Sequence, residues 1–476
     1  MGRPCKRRSA RAAAWALATA GTAWAALGAP GGPLAAESSA GSAPAAAAGS
    51  WTPLGPAAAG GLAFFAVSPQ SARWIYAASA DGTRLYATRD GGATWASLPV
   101  PPAAADPDVY ALQIAVDPLD ATTVYLQAEA LGFGGKASFA LNRSTDGGVS
   151  WTVLPPLSAA AWVAVDPQDD QLLYSGPPAA RSADGGATWT RLAGLPLDVA
   201  QIVIDPASPS TVYALETAAP DLFKSIDRGV TWQPAGAAIG NFTALRVDPA
   251  SSSTLYAAAG GYLEKSTDGG NIWQIAYSPA DPAHHGVATV AVAPTVPTSV
   301  YGVVADTGVV RSVDGGLSWS PVPTATLPGA VLGLEIDPQN PLRLLANVAG
   351  AGLAAMTLPG PCVPGPETLC LASASRFLVT TTWSTAGAAG AGKGVALTPD
   401  TGAFWFFSPS NLELVVKVLD GCAVNGHYWV FAGGLTDVGV VVTATDTRTG
   451  QSRSYTNPAG VPFPPLQVTS AFATCP

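Results

Sequence analysis

Seven carboxylates stand between the apolar runs of this chain: Asp106, Asp108, Asp198, Glu216, Asp221, Asp281 and Asp306. Two carboxyls about 5–10 Å apart can cleave a glycosidic bond, one giving a proton and the other acting across the sugar ring. No motif picks a pair out of the seven. His284 and His285 are adjacent, but a metal site needs a third ligand at a matching spacing, so they read as a surface loop and no metal is expected. Five cysteines occur. Cys5 is in the leader, and Cys362, Cys370, Cys422 and Cys475 lie in the last quarter with no Cys-x-x-Cys spacing.

The elements that must position such groups come from a repeat. Six segments share a small hydroxyl residue, Asp two later, Gly four later and Trp seven later. They begin at Thr88, Ser144, Ser182, Ser225, Ser266 and Ser312, and their acids are Asp90, Asp146, Asp184, Asp227, Asp268 and Asp314. Each reads as a hairpin turn in which the Asp caps its own backbone and the Gly takes positive φ. Arg228 replaces the first Gly of the fourth copy, so only the second is expected to be required. A second pattern runs in phase, an apolar strand ending at a Pro with Tyr seven residues on: Pro69/Tyr76, Pro118/Tyr125, Pro167/Tyr174, Pro206/Tyr213, Pro249/Tyr256 and Pro294/Tyr301. Pro338/Leu345 keeps the spacing without the aromatic. Pro marks strand ends because it cannot donate to a ladder.

Four short strands per period of about 40–50 residues is a propeller blade. Seven Pro strands stand against six hairpins, and Trp51-Thr-Pro-Leu54 aligns with the tails that follow the other Trp residues. The expected fold is therefore all-β: a seven-bladed β-propeller over 51–356, closed by its N-terminal strand near Trp51. A small β-sandwich follows. Closure removes exposed sheet edges.

The hairpin pattern resembles the Asp-box (BNR) repeat family, found in sialidases, sortilin-type receptors, xyloglucanases and photosystem II assembly factors. The resemblance covers about 51–356. It implies that the boxes are structural and sit on the rim opposite the usual ligand face. A sialidase would need an arginine cluster, and the ligand-face rim offers only Arg84 and Lys136 as cations. The xyloglucanases use two facing propellers, and this chain has one.

The ends and the composition set the compartment. Arg3, Lys6, Arg7, Arg8 and Arg11 precede an apolar stretch from Ala12 to about Leu27, with small residues at Ala35-Ala36, so residues 1–36 read as a signal peptide. Its loss takes the formal charge from −9 to −14, which argues against nucleic acid or an anionic membrane as partner. Residues 37–50 read as a flexible leader and 357–366 as a linker. The remaining segment, 367–476, reads as the β-sandwich module. Four cysteines in an exported chain suggest two disulfides. Of the three connectivities, Cys362–Cys370 with Cys422–Cys475 is expected, the first pair being close in sequence and the second pinning the last strand. The module's aromatics are expected to fill its core rather than bind sugar.

Function tends to sit on loops held by a rigid scaffold. Two insertions, 99–110 and 128–140, belong to one blade and one rim. They make Asp106, Asp108, Tyr110, Phe133, Lys136 and Phe139 the candidate ligand-binding residues. The expectation is an exported, non-enzymatic propeller that binds a protein or glycan, with no cofactor and no membrane insertion of the mature chain. The alternative is a secreted glycosidase.

Overall fold

The computed structural model describes residues 50–475, apart from 57–60, 102–108, 132–136, 156–161, 217–220, 238–239, 283–285, 297, 306–307, 323, 325–326, 359, 361 and 373–375. The chain is all-β, and its repeats fold as four-stranded antiparallel sheets. The first is Leu62–Ser68, Ser71–Ser79, Leu85–Thr88 and Ala96–Leu98, in chain order. The next five repeat this order, opening at Val109, Trp162, Val199, Phe242 and Val287. The last holds Val331–Ile336, Arg343–Val348 and Gly352–Thr357, and its fourth strand is Trp51–Gly55 from the other end of the chain. Trp51 pairs with Met356, Thr52 with Ala355 and Pro53 with Ala354. The first strands of successive sheets touch one another in order, and the strand Val331–Ile336 touches Leu62–Ser68.

The Tyr of each repeat lies on the second strand and is fully buried from Tyr76 through Tyr301. The Asp turns are self-contained. In the second, Ser144 Oγ donates to Asp146 Oδ1 at 2.7 Å and accepts from Gly148 N at 2.8 Å. Asp146 also accepts from Ser150 N and Ser150 Oγ. These donors, led by the Ser150 hydroxyl, hold the Asp146 carboxyl down at about 2. The first Gly position is left-handed in every turn, and Arg228 adopts it at φ 59°. This bears out the expectation that only the second Gly is required. A side chain tolerates the first position, whereas a Cβ on Gly148 would lie 2.6 Å from Leu98.

Neighbouring sheets are clamped through these turns. Tyr256 Oη and Lys265 Nζ both donate to Gly315 O of the next turn, at 3.1 and 2.8 Å. Tyr174 Oη donates to Arg228 O in the same way. Between the last sheet and the first, Arg343 donates to Gly91 O at 3.3 Å. The last sheet has no Asp turn. There Arg311, on the sixth sheet, donates instead to Arg448 O at 2.9 Å and to Thr447 O. A hairpin of the C-terminal module thus supplies carbonyls where the missing turn would stand.

That module is two packed five-stranded sheets. One contains Leu369–Leu371, Phe377–Ser384, Ala389–Ala391, Gly439–Asp446 and Ser452–Asn457. The other contains Lys393–Thr398, Thr401–Trp405, Leu414–Gly421, His427–Gly434 and Leu466–Phe472. Phe377, Phe404, Tyr428 and Phe472 fill the space between them. Arg376 is buried there with Asp446, making two hydrogen bonds to its carboxylate and a third to Thr474 O. The disulfides are Cys362–Cys370 and Cys422–Cys475, the expected pairing.

One acid links the last sheet to the first. Glu335, on the first strand of the last sheet, accepts from Val67 N of the first sheet at 3.0 Å. Burial pushes its carboxyl from 4.5 up to about 8, against opposing pulls from that N–H and from Arg246. A carboxyl whose pKa rises on folding adds most to stability below its unfolded value, and that contribution is lost as pH climbs through the folded one. Stability should therefore fall between about pH 4.5 and pH 8 on account of Glu335. Glu335→Gln should melt above the wild type at pH 9 and no higher at pH 4. A thermal scan at the two pH values checks this, and equal gaps at both would refute it.

Candidate functional site

The Pro turns and Asp turns occupy one rim. The opposite rim carries the connections between second and third strands and those between successive sheets. The candidate site is on this opposite rim, at the fourth sheet. Glu216 ends the strand Val212–Glu216 and pairs with Val199 across the ladder. Asp198 immediately precedes Val199, and Asp221 opens the next strand. Trp162 of the third sheet anchors this corner, its Nε1 donating to Val199 O at 3.0 Å. The Glu216 carboxyl is pushed above the usual range, first by desolvation and then by the negative charges of Asp198 and Asp221. Three of the seven carboxylates singled out in the sequence therefore meet at one corner, with Asp198 and Asp221 both acting on Glu216.

The second sheet contributes to the same rim. Tyr110 pairs with Glu129, and Glu129 pairs with Phe139. Directly paired residues share a sheet face, so an acid stands between two aromatic side chains. All three are half-buried. Burial raises the Glu129 carboxyl. Sequence reasoning missed Glu129 because it treated 128–140 as a loop. The strands Val124–Leu131 and Ala137–Ser144 instead continue as one long hairpin, closing with Leu131 opposite Ala137. Tyr110 likewise lies on the strand Val109–Val116. Extra backbone pairing accounts for the apparent insertion. The alternating run Tyr125-Leu-Gln-Ala-Glu129 was the signal that could have revealed it.

The other candidates divide as follows. Asp106, Asp108, Phe133, Lys136 and Asp306 lie outside the described residues, as do His284 and His285. Asp281 is exposed on the rim before the sixth sheet. The turn acids Asp90, Asp146, Asp184, Asp227, Asp268 and Asp314 are on the other rim, spent on their own backbones. Among the described residues no cluster of His, Cys, Asp and Glu could hold a metal ion.

No family model and no curated protein matches the chain. Solved structures do. It is similar to the GH74 xyloglucanase from Xanthomonas campestris at 20% identity and TM-score 0.53, over 87% of this chain and 81% of that one. It is similar to the Niastella koreensis GH74 enzyme at 16% identity and TM-score 0.50, over 85% and 73%. It is also similar to YCF48 bound to D1 peptide, at 17% identity and TM-score 0.50, over 66% and 97%. At such identities the likeness defines the class of fold, an all-β, propeller-like architecture. It also corrects one expectation. The absence of enzymes was argued from missing motifs, yet two of these three neighbours are glycoside hydrolases. A missing motif therefore does not exclude an enzyme.

Proposed function

We propose that this chain is an exported carbohydrate-active hydrolase built on a seven-bladed propeller, its ring closed by the strand Trp51–Gly55 and its site on the rim opposite the Asp turns. The observation that carries the reading is the placement of Asp198, Glu216 and Asp221 at one corner of that rim, where both Asp charges act on Glu216. A glycosidase needs one carboxyl kept protonated near neutral pH and another kept ionised, and a burial-plus-charge environment separates the two. In this reading Glu216 donates its proton to the glycosidic oxygen as the C–O bond breaks. Asp198 or Asp221 takes the proton of the water whose oxygen joins the anomeric carbon. Tyr110 and Phe139 supply apolar contact to a sugar further along the rim, beside Glu129.

Two features support export. The cationic and apolar opening of residues 1–36 has the form of a secretory leader, and two disulfides suit an oxidising compartment. The test is reducing-end release from a panel of neutral polysaccharides, xyloglucan among them, by the purified chain. Release from at least one is expected, and silence across the panel overturns the hydrolase reading.

A further inference from the structure

The sandwich aromatics fall into two sets. Phe404, Phe406, Tyr428 and Val430 point into the core. Strand alternation sends Trp405, Trp429 and Phe431 to the outer face of the sheet that contains Lys393–Thr398 and Leu466–Phe472, and all three are only partly buried. The register places them. Thr401, Lys417 and Phe431 form one row across three strands, and Gln467 extends it. Trp429 is two residues from Phe431, their ring centroids 6.3 Å apart. Its Nε1 is held by Asn425 Oδ1 at 2.9 Å, which sets the plane of the ring. Trp405 lies four residues beyond the Thr401 row, so two strands and four residues separate it from Phe431. That is about 16 Å at ordinary strand spacing and rise. Val415, 42% exposed, stands between them.

We infer that this outer face binds an uncharged polysaccharide chain, running from Trp405 across Val415 and Lys417 to Phe431 and Trp429. The charge pattern selects the occupant. Lys417 lies 3.9 Å from Asp400, and Lys393 pairs with Glu367, so the cations on the face are matched by acids. The whole chain carries a formal charge of −9. A polyanion gains no unmatched cation here and is repelled by the rest of the protein. A neutral sugar chain offers apolar C–H faces for the rings and hydroxyls for Lys417 and Gln467. Half-exposed aromatics with a polar handle suit a ligand that is apolar on one side and wet on the other. The inference extends the carbohydrate reading of the ring to a second site, and its test does not depend on hydrolysis.

Affinity electrophoresis of the full chain carrying Glu216→Gln, in gels containing xyloglucan, mannan or polygalacturonate, provides that test. Retardation by a neutral polymer but not by polygalacturonate is expected. Adding Trp405→Ala and Phe431→Ala should weaken it at least about tenfold, as expected when aromatic anchors are lost. Trp405→Phe keeps a ring and should hold binding close to the parent, which separates loss of stacking from loss of fold. The inference is overturned if no neutral polymer retards the parent, or if the double variant is retarded equally. It is also overturned if polygalacturonate serves as well, or if the substitutions instead dissociate a dimer formed through this face. Retardation without any reducing-end release by the wild type would uphold this face and sink the hydrolase.

Discussion

Glu216→Gln should lower kcat on the best polysaccharide by about 10²–10⁴-fold, the ordinary contribution of a positioned general acid, while leaving the melting temperature unchanged. The amide keeps the shape of the side chain at the strand end opposite Val199 but cannot give up a proton. The pH profile makes the assignment specific. In the hydrolase reading Glu216 acts protonated, and desolvation with Asp198 and Asp221 raises its carboxyl, so activity should fall on the alkaline side as that proton is lost. The alkaline limb should vanish in Glu216→Gln. Asp198→Asn and Asp221→Asn remove the negative charges that help raise Glu216, so any residual activity should fall off at lower pH than in the wild type. A Glu216→Gln chain with wild-type kcat would move the site elsewhere on the rim, to Glu129 between Tyr110 and Phe139.

Trp51→Ala should be among the most destabilising single changes in the ring. Trp51 is 6% exposed and packs with Tyr301, Leu344 and Met356 in the core that joins the sixth and last sheets. Replacing a buried Trp by Ala costs about 3–5 kcal/mol. At about 2–4 °C per kcal/mol this lowers the melting temperature by roughly 10 °C. Trp189→Ala is the control, because Trp189 follows the Asp turn of the third sheet, away from the strand Trp51–Gly55, and is only half-buried. Removing residues 1–55 should do more. It leaves Gly352–Thr357 as an unpaired edge and favours association between chains. A truncated chain that melted with the wild type, and stayed monomeric by light scattering, would show that the strand is not needed for closure.

The division between sequence and tertiary structure follows the range of the interactions. The Asp turns are short-range objects in which Ser144, Asp146, Gly148 and Ser150 satisfy one another within seven residues, so their spacing is written in the chain and predicts the hairpins directly. The Tyr after each Pro is equally legible, because strand alternation decides which face it takes. The disulfide pairing was readable for a related reason. Cys362 and Cys370 are eight residues apart, and Cys475 closes the final strand. What lay between repeats was not legible. The basic residue before the turn hydroxyl, as in Arg143, Lys224, Lys265 and Arg311, is visible in the sequence. Its work is done beyond its own repeat: Lys265 is 50 residues from Gly315 O, and Arg311 is 137 from Arg448 O. The same holds for the candidate site. Asp198, Glu216 and Asp221 carry no spacing rule, and it is the antiparallel return of the fourth sheet that brings them to one corner. Glu129 was hidden because only the paired register of a long hairpin sets it between Tyr110 and Phe139. Local hydrogen bonding and strand alternation determined the repeat, while the antiparallel return and register within each sheet decided which charges meet.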